Sequence, residues 1–355
     1  MAGAQHVPDD RIALGTCGPD GHGVSRLARR IASAAGDLGF TGTVLDEPDP
    51  ARLADLADRL PVPVRLLHLH VSDWLIADAG AEPDRVLAAL VQALTTRGVR
   101  LALTLHDVPQ VSDGPELARR RARTYGALAA ASVGMAVCSA HERSLLREVV
   151  GMPEDTVAVV PLPIDPFPGG PPPHSATPAG PPTVAVLGYL YPGKGHRELL
   201  DELAGTDPPV GVLAIGRPSE RHHDLPAALS AVAGRHGISF RTTGYVPEDQ
   251  LLEQLRAPVI PVAPQTKISA SASINTWIGA GRRPLVQRGR YAEELAGRLP
   301  GAVRIYRPGR LRAEVELAHA DPALTWLPDR LRVGPTTRDV TRTHLAWLRG
   351  KVLAT

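Results

Sequence analysis

The sequence predicts an α/β protein of two successive domains, each a doubly wound parallel sheet. Three observations carry that expectation. Short, uninterrupted apolar runs alternate with amphipathic stretches through both halves, the pattern of parallel strands covered by helices on both faces. A segment of almost pure Pro, Gly and small residues, DPFPGGPPPHSATPAGPP at 165–182, divides the halves. At 355 residues the chain is long for one domain and comfortable for two, each burying its own core.

In the first half, strands are expected at RIALGTCG, TGTVLD, VRLLHLHVS, RLALTLHDV, GMAVCSA and VAVVPLP. Between them, VSRLARRIASAAGDLG, PDRVLAALVQALTTRG and HERSLLREVVG carry helical apolar spacing. In the second half the strand-like runs are TVAVLGYL, VGVLAIG, ISFRTTG, VIPVAP, RPLVQR and VRIYRP. Their helices include HRELLDELAG, EDQLLEQLRA and YAEELAGRL. The chain closes on TTRDVTRTHLAWLRGKVLA, an amphipathic helix with no strand after it, expected to return to the first domain. The expected domains are therefore 1–164 with a terminal helix at 336–355, a linker at 165–182, and 183–335.

Composition narrows the function classes. Hydrophobic content of 43% and charged content of 21% are ordinary for a globular protein, and a formal charge of +2 implies no nucleic-acid partner. Cys17 and Cys138, both in apolar strand-like runs, cannot build a disulfide framework and suit a reducing, cytoplasmic setting. The start MAGAQHVPDDR lacks the apolar core of a secretory signal, and no run of about 18 apolar residues predicts a membrane span. Peripheral contact with a membrane stays compatible with this composition.

Ligands on open parallel sheets sit at the carboxyl ends of strands, and with two such domains the cleft between them is the expected site. Four strand-to-helix loops carry suitable residues. In GTCGPDGHGVSRLARR the glycines at 15, 18, 21 and 23 permit a tight turn, so His22 and Gly23 either meet a ligand or merely close the turn. In LHLHVSDW, His68 and His70 share one face of a strand. With His106 and Asp107 of LTLHDVP they would make a metal set, which no further ligand cluster completes. His106 and Asp107 are otherwise candidates to orient or polarise a substrate hydroxyl. The loop after VAVLG carries Lys194 and Gly195, a cation at a helix start and hence an anion site. In APQTKISASASINTWIGAGRRPLV, Lys267 precedes Ser269, Ser271 and Ser273, and a helix with Asn275 follows. Lys194 and Lys267 lie in corresponding loops of one sheet and together predict a diphosphate clamp.

These pieces, in this order, make the chain resemble the large retaining group of GT-B glycosyltransferases known as family 4. GHGVSRLARRIA is similar to that family's Gly-rich first loop and helix, and LLHLHVSD and LALTLHDVP to its His-x-His and His-Asp strands. AVCSAHERSLL, VAVVPLPID, VAVLGYLYPGKGHRELLDEL and ISFRTTGYVPEDQLLEQL match in turn, with Leu162 and Pro163 replacing Asn-Gly. The resemblance implies two Rossmann-like domains facing across a cleft. It implies transfer of a sugar from a nucleotide-diphosphate donor to a hydroxyl of a glycan, lipid or small-molecule acceptor, with no tightly bound cofactor and no metal. Front-side attack would follow, the leaving diphosphate helping to deprotonate the acceptor. In that scheme Gly188, Lys194, Gly195, Lys267, Ser269, Ser271 and Asn275 hold the donor. His106 and Asp107 orient the reacting hydroxyls, and His22, Gly23, His70 and Asp73 line the acceptor side.

Two departures stand out. Tyr189 occupies the place of the family's Arg, and its E-x7-E acid pair is missing, since residues 254–292 contain no Asp or Glu. Lys267 and Asn275 stand at that spacing. Either the donor is held differently, with a cation where phosphate sits, or the domain survives as a non-catalytic glycan- or partner-binding relative. A metal-dependent hydrolase built on the histidine pairs is a third class.

Overall fold

The computed structural model describes residues 8–169 and 181–353. Their described parts form two compact units, 1–163 with 335–355, and 164–334.

The first unit runs β1 (Ile12–Cys17), α1 (Gly23–Asp37), β2 (Thr43–Glu47), α2 (Asp55–Asp58), β3 (Leu66–Val71), α3 (Asp73–Asp78) and α4 (Pro83–Thr96), then β4 (Arg100–Leu105), α5 (Pro115–Ala131), β5 (Ser132–Val137), α6 (Ala140–Leu145) and β6 (Val157–Val159). All strands pair in parallel, in the order β2-β1-β3-β4-β5-β6. Every residue of β1 and β3 is buried, because helices cover both faces of the sheet. The order reverses between β1 and β3, so the loops leaving those strands open a crevice at their carboxyl ends.

The second unit follows with β7 (Thr183–Leu187), α7 (His196–Glu202), β8 (Gly211–Ile215), α8 (Leu225–Arg235), β9 (Ser239–Thr242), α9 (Glu248–Arg256) and β10 (Ile260–Ala263). It continues through α10 (Ala272–Gly279), β11 (Leu285–Gln287), α11 (Arg290–Arg298), β12 (Arg304–Tyr306) and α12 (Leu311–Ala320). Its sheet is also parallel, ordered β12-β11-β10-β7-β8-β9. Here the reversal lies between β7 and β10, the strands that lead into the Lys194 and Lys267 loops.

The last helix, α13 (Thr337–Leu353), belongs to the first unit. Val340, Thr341, His344, Leu345, Leu348 and Val352 are its buried face, at helical spacing. Leu345, Leu348 and Val352 pack with Ile12 and Leu14 of β1, a burial contributing about 1.5–3 kcal/mol per side chain. Arg349 adds a two-pronged ion pair to Asp9, with both N···O distances at 2.9 Å.

The expected linker departs from a free spacer at its start. Within it the Phe167 amide donates to the Gly279 carbonyl at 2.9 Å, and Ile164, expected at the end of the first domain, belongs to the second unit and is buried among Ile274, Ile278 and Val286. Residues 170–180 of that stretch lie outside the described residues.

One glycine contact decides how closely β7 and β8 end. Gly216 has φ 147°, and a Cβ there would stand 2.1 Å from the Gly188 carbonyl oxygen. Gly216→Ala is therefore expected to cost on the order of 3 kcal/mol, from backbone strain and overpacking together. A urea midpoint unchanged from wild type would show that the two strand ends are not packed this tightly.

Candidate functional site

At the reversal of the second sheet, the chain brings most of the expected donor residues together. Lys194 is 5% exposed, and its ammonium donates to Ser273 Oγ at 3.0 Å. A Cβ on Gly188 would lie 3.2 Å from Lys194 Nζ, so the glycine leaves room for the ammonium. Ser271 Oγ is 3.2 Å from Ser273 Oγ and also accepts from the Ile274 amide, capping α10. Gly195 sits flat against the neighbouring loop, where a Cβ would meet the Pro264 carbonyl at 2.8 Å. Burial pulls the Lys194 pKa down to about 8, since a charged amine there has lost water without gaining an acidic partner. Ser269 and Asn275 are buried nearby in sequence, whereas Lys267 is exposed in the loop after β10.

The structure adds three residues that spacing alone did not single out. Gln265 is buried with its Oε1 unpartnered, in the loop against Gly195. His196, the first residue of α7, is 3% exposed with neither ring nitrogen hydrogen-bonded. Burial, then the Lys194 charge, lowers its pKa to about 3. Arg217, just past β8, lies with its guanidinium 5.7 Å from the Tyr189 ring centroid. A guanidinium thus stands beside the position where the resemblance puts an arginine, carried by the adjacent strand.

The first unit assembles its residues differently from expectation. His22 caps α1, its Nδ1 accepting from the Val24 amide at 3.3 Å, and Gly23 opens the helix on the exposed side. Burial lowers the His22 pKa, while the charge of Asp107 acts the other way, which places those two side chains in one field. Asp107 is exposed, accepts from Ser72 Oγ at 3.1 Å, and is the one non-glycine residue with positive φ, 49°, among the described residues.

His106 is not available as expected. Its Nε2 is 2.9 Å from His70 Nδ1, and its Nδ1 is 3.5 Å from Cys138 Sγ. Burial pushes its pKa down to about 3, so at neutral pH it is an uncharged ring with both nitrogens engaged inside the protein. At 7% exposure it is turned into the protein, while Asp107 beside it is exposed. His70 is likewise 4% exposed and faces inward.

Asp73 also turns inward. Arg121 of α5 grips its carboxylate with Nε at 2.7 Å and Nη2 at 2.8 Å, and Tyr125 donates to the same group at 3.1 Å. Arg121 further reaches Asp113 at 2.6 Å and the Asp107 carbonyl, and the single Tyr125 hydroxyl proton is shared between the Asp73 carboxylate and the His106 carbonyl, the latter 2.8 Å away. Asp73 therefore anchors the end of β4 and is not free to line an acceptor surface. The expected grouping of His68 and His70 with His106 and Asp107 as metal ligands also fails. Asp107 points to Ser72, and the histidine that joins His68 and His70 is His344.

No family model matches the chain, and no curated protein matches it in sequence. Solved structures do. HepE from Anabaena, solved with UDP and glucose, is 14% identical and superposes with a TM-score of 0.68 over 95% of this chain and 99% of that one. A glycosyltransferase from Rickettsia africae is 12% identical, with a TM-score of 0.64 over 97% and 99%. WaaG, a glycosyltransferase involved in lipopolysaccharide biosynthesis, is 13% identical, with a TM-score of 0.56 over 94% and 95%. At such identities the likeness is one of fold. Two parallel six-stranded sheets with flanking helices, matched along nearly the whole chain, give this protein the GT-B fold.

Proposed function

We propose that this protein transfers a hexose from a nucleoside-diphosphate sugar to an acceptor hydroxyl. One observation carries the reading. A buried ammonium, Lys194, stands against Gly188 and Ser273 at the reversal of the second sheet, where doubly wound sheets bind phosphate-bearing ligands. The fold is shared with HepE, which has been solved with UDP-glucose, so a uridine nucleotide is the first donor to try.

In this reading the diphosphate lies against Lys194, Gly195, Ser271 and Ser273, with Lys267 reaching it from the exposed loop. Gly188 keeps the approach open, while Ser269 and Asn275 shape the start of α10. The bare stretch 254–292 is then a rewired donor site. A lysine beside a diphosphate attracts where a glutamate would repel, and an asparagine keeps a carbonyl acceptor without the charge. On the acceptor side, Asp107 and His22 orient the incoming hydroxyl, Gly23 leaves space, and His106 and His70 hold Asp107 from below. A nucleotide-sugar substrate suits a cytoplasmic enzyme of carbohydrate metabolism. The missing acids favour one rival, a non-catalytic glycan- or partner-binding protein.

The test is nucleoside-diphosphate release from uridine, guanosine, adenosine and thymidine sugar nucleotides, with and without saccharide acceptors. Base-selective release, reduced about tenfold or more by Lys267→Ala, is expected, as for loss of one charge-assisted contact of about 1.5–3 kcal/mol. Oligosaccharide binding with no release from any donor would transfer the assignment to the binding protein.

A further inference from the structure

We propose that His68, His70 and His344 form a buried binding site for a late first-row transition ion, zinc foremost, that fastens the terminal helix α13 to strand β3. The first two rings project from the same face of β3, and the third comes from α13 far along the chain. They are 2%, 4% and 2% exposed. Their ring centroids form a nearly regular triangle with sides of 5.0, 5.4 and 5.4 Å. One ligating nitrogen from each lies within 4.8 Å of the others. Three corners of a tetrahedron with Zn–N near 2.05 Å stand about 3.3 Å apart, a difference that small ring rotations close.

Two further observations separate this triad from an ordinary buried histidine cluster. The Nε2 of His70 is buried and has no hydrogen-bond partner, a costly state unless something else occupies it. The outer nitrogens of two rings are already held as metal-bound imidazoles hold theirs. His344 Nδ1 faces the Val340 carbonyl at 3.3 Å, and His70 Nδ1 faces His106 Nε2 at 2.9 Å. With Nδ1 carrying the proton in each, both Nε2 lone pairs point inward. Thr104 Oγ1, 2.9 Å from His68 Nε2 and 3.2 Å from His344 Nε2, supplies an oxygen beside the same space. An all-imidazole set with one oxygen suits zinc and copper and not calcium or magnesium.

The ion would act on structure before chemistry. It joins a helix at the end of the chain to a strand near its start, and through His70 and His106 it fixes the base on which Asp107 stands.

The experiment uses untagged full-length protein, stripped with a chelator and then titrated separately with Zn²⁺, Co²⁺ and Cu⁺. The wild type should take up one ion per chain, show the intense visible bands of tetrahedral Co²⁺, and gain several degrees in Tm. His344→Gln and His68→Gln should lose the bands and the gain in Tm while still binding nucleoside diphosphate, whose site lies in the other unit. If either variant does not fold, the wild-type stoichiometry and Co²⁺ spectrum decide alone. No stoichiometric uptake of any of the three ions, octahedral Co²⁺ bands, or unchanged uptake in a folded His344→Gln protein would overturn the site.

Discussion

Arg121→Ala is expected to lower the stability of the first unit by about 3–5 kcal/mol, the usual result of removing one partner from a buried ion pair. The Arg121 side chain is 3% exposed and that of Asp73 is 11% exposed, so truncation strands a carboxylate away from water. The same guanidinium holds Asp113 and the Asp107 carbonyl; burial pulls its pKa down, but the hydrogen bonds and charges of Asp73 and Asp113 outweigh that and raise it, keeping it charged. The damage should reach the site, because Asp107 sits at positive φ and relies on its surroundings to hold it there. Urea unfolding of Arg121→Ala and Asp73→Asn measures the effect. A loss below about 1 kcal/mol in both would mean that this network is not what secures the end of β4.

Lys194→Ala should leave the fold intact and lower kcat/KM by about 10²–10³-fold, as for a preorganised donor aimed at developing charge. Removing a buried charge with no acidic partner carries little stability cost, which separates this variant from Arg121→Ala. The pH dependence has a definite sign. A diphosphate favours the protonated amine, so affinity is full below the pKa of about 8 in the free protein and falls as pH rises through it. The fall approaches tenfold per pH unit, and Lys194→Ala should abolish that dependence. Affinity that rises with pH between 7 and 9 would exclude Lys194 as the anion's partner.

Much of the fold is legible in the sequence because parallel strands buried on both faces leave unbroken apolar runs. Each strand of both sheets overlaps one of those runs, although β2 ends one residue past TGTVLD and β5 begins two residues before GMAVCSA. The helices are less legible where their inward face is not apolar. Helix α5 buries Arg121, Thr124 and Tyr125 alongside Ala118 and Leu128, so its periodicity is blurred by the ion-pair network it serves. Helix α8 carries four alanines in eleven residues, with little contrast between its faces. At the candidate site, the glycine–lysine loop and the serine-capped helix are visible because their chemistry is local. The inward turns of Asp73 and His106 are not, since each is set by a partner distant in sequence, Arg121 and His70. Nor does any local signal announce His344. It is one more residue on the buried face of an amphipathic helix until the fold sets it beside β3.

In the proposed function the carboxyl end of the second sheet binds a nucleoside diphosphate through Lys194. Calorimetric titration of UDP into wild type and Lys194→Ala at pH 7, with both shown to be folded, tests it directly. One-to-one binding to the wild type, weakened about tenfold or more in the variant, is the predicted result, as for loss of one charge-assisted contact of about 1.5–3 kcal/mol. Equal affinity in the two proteins, or a folded wild type that binds neither UDP nor another nucleoside diphosphate, would contradict it.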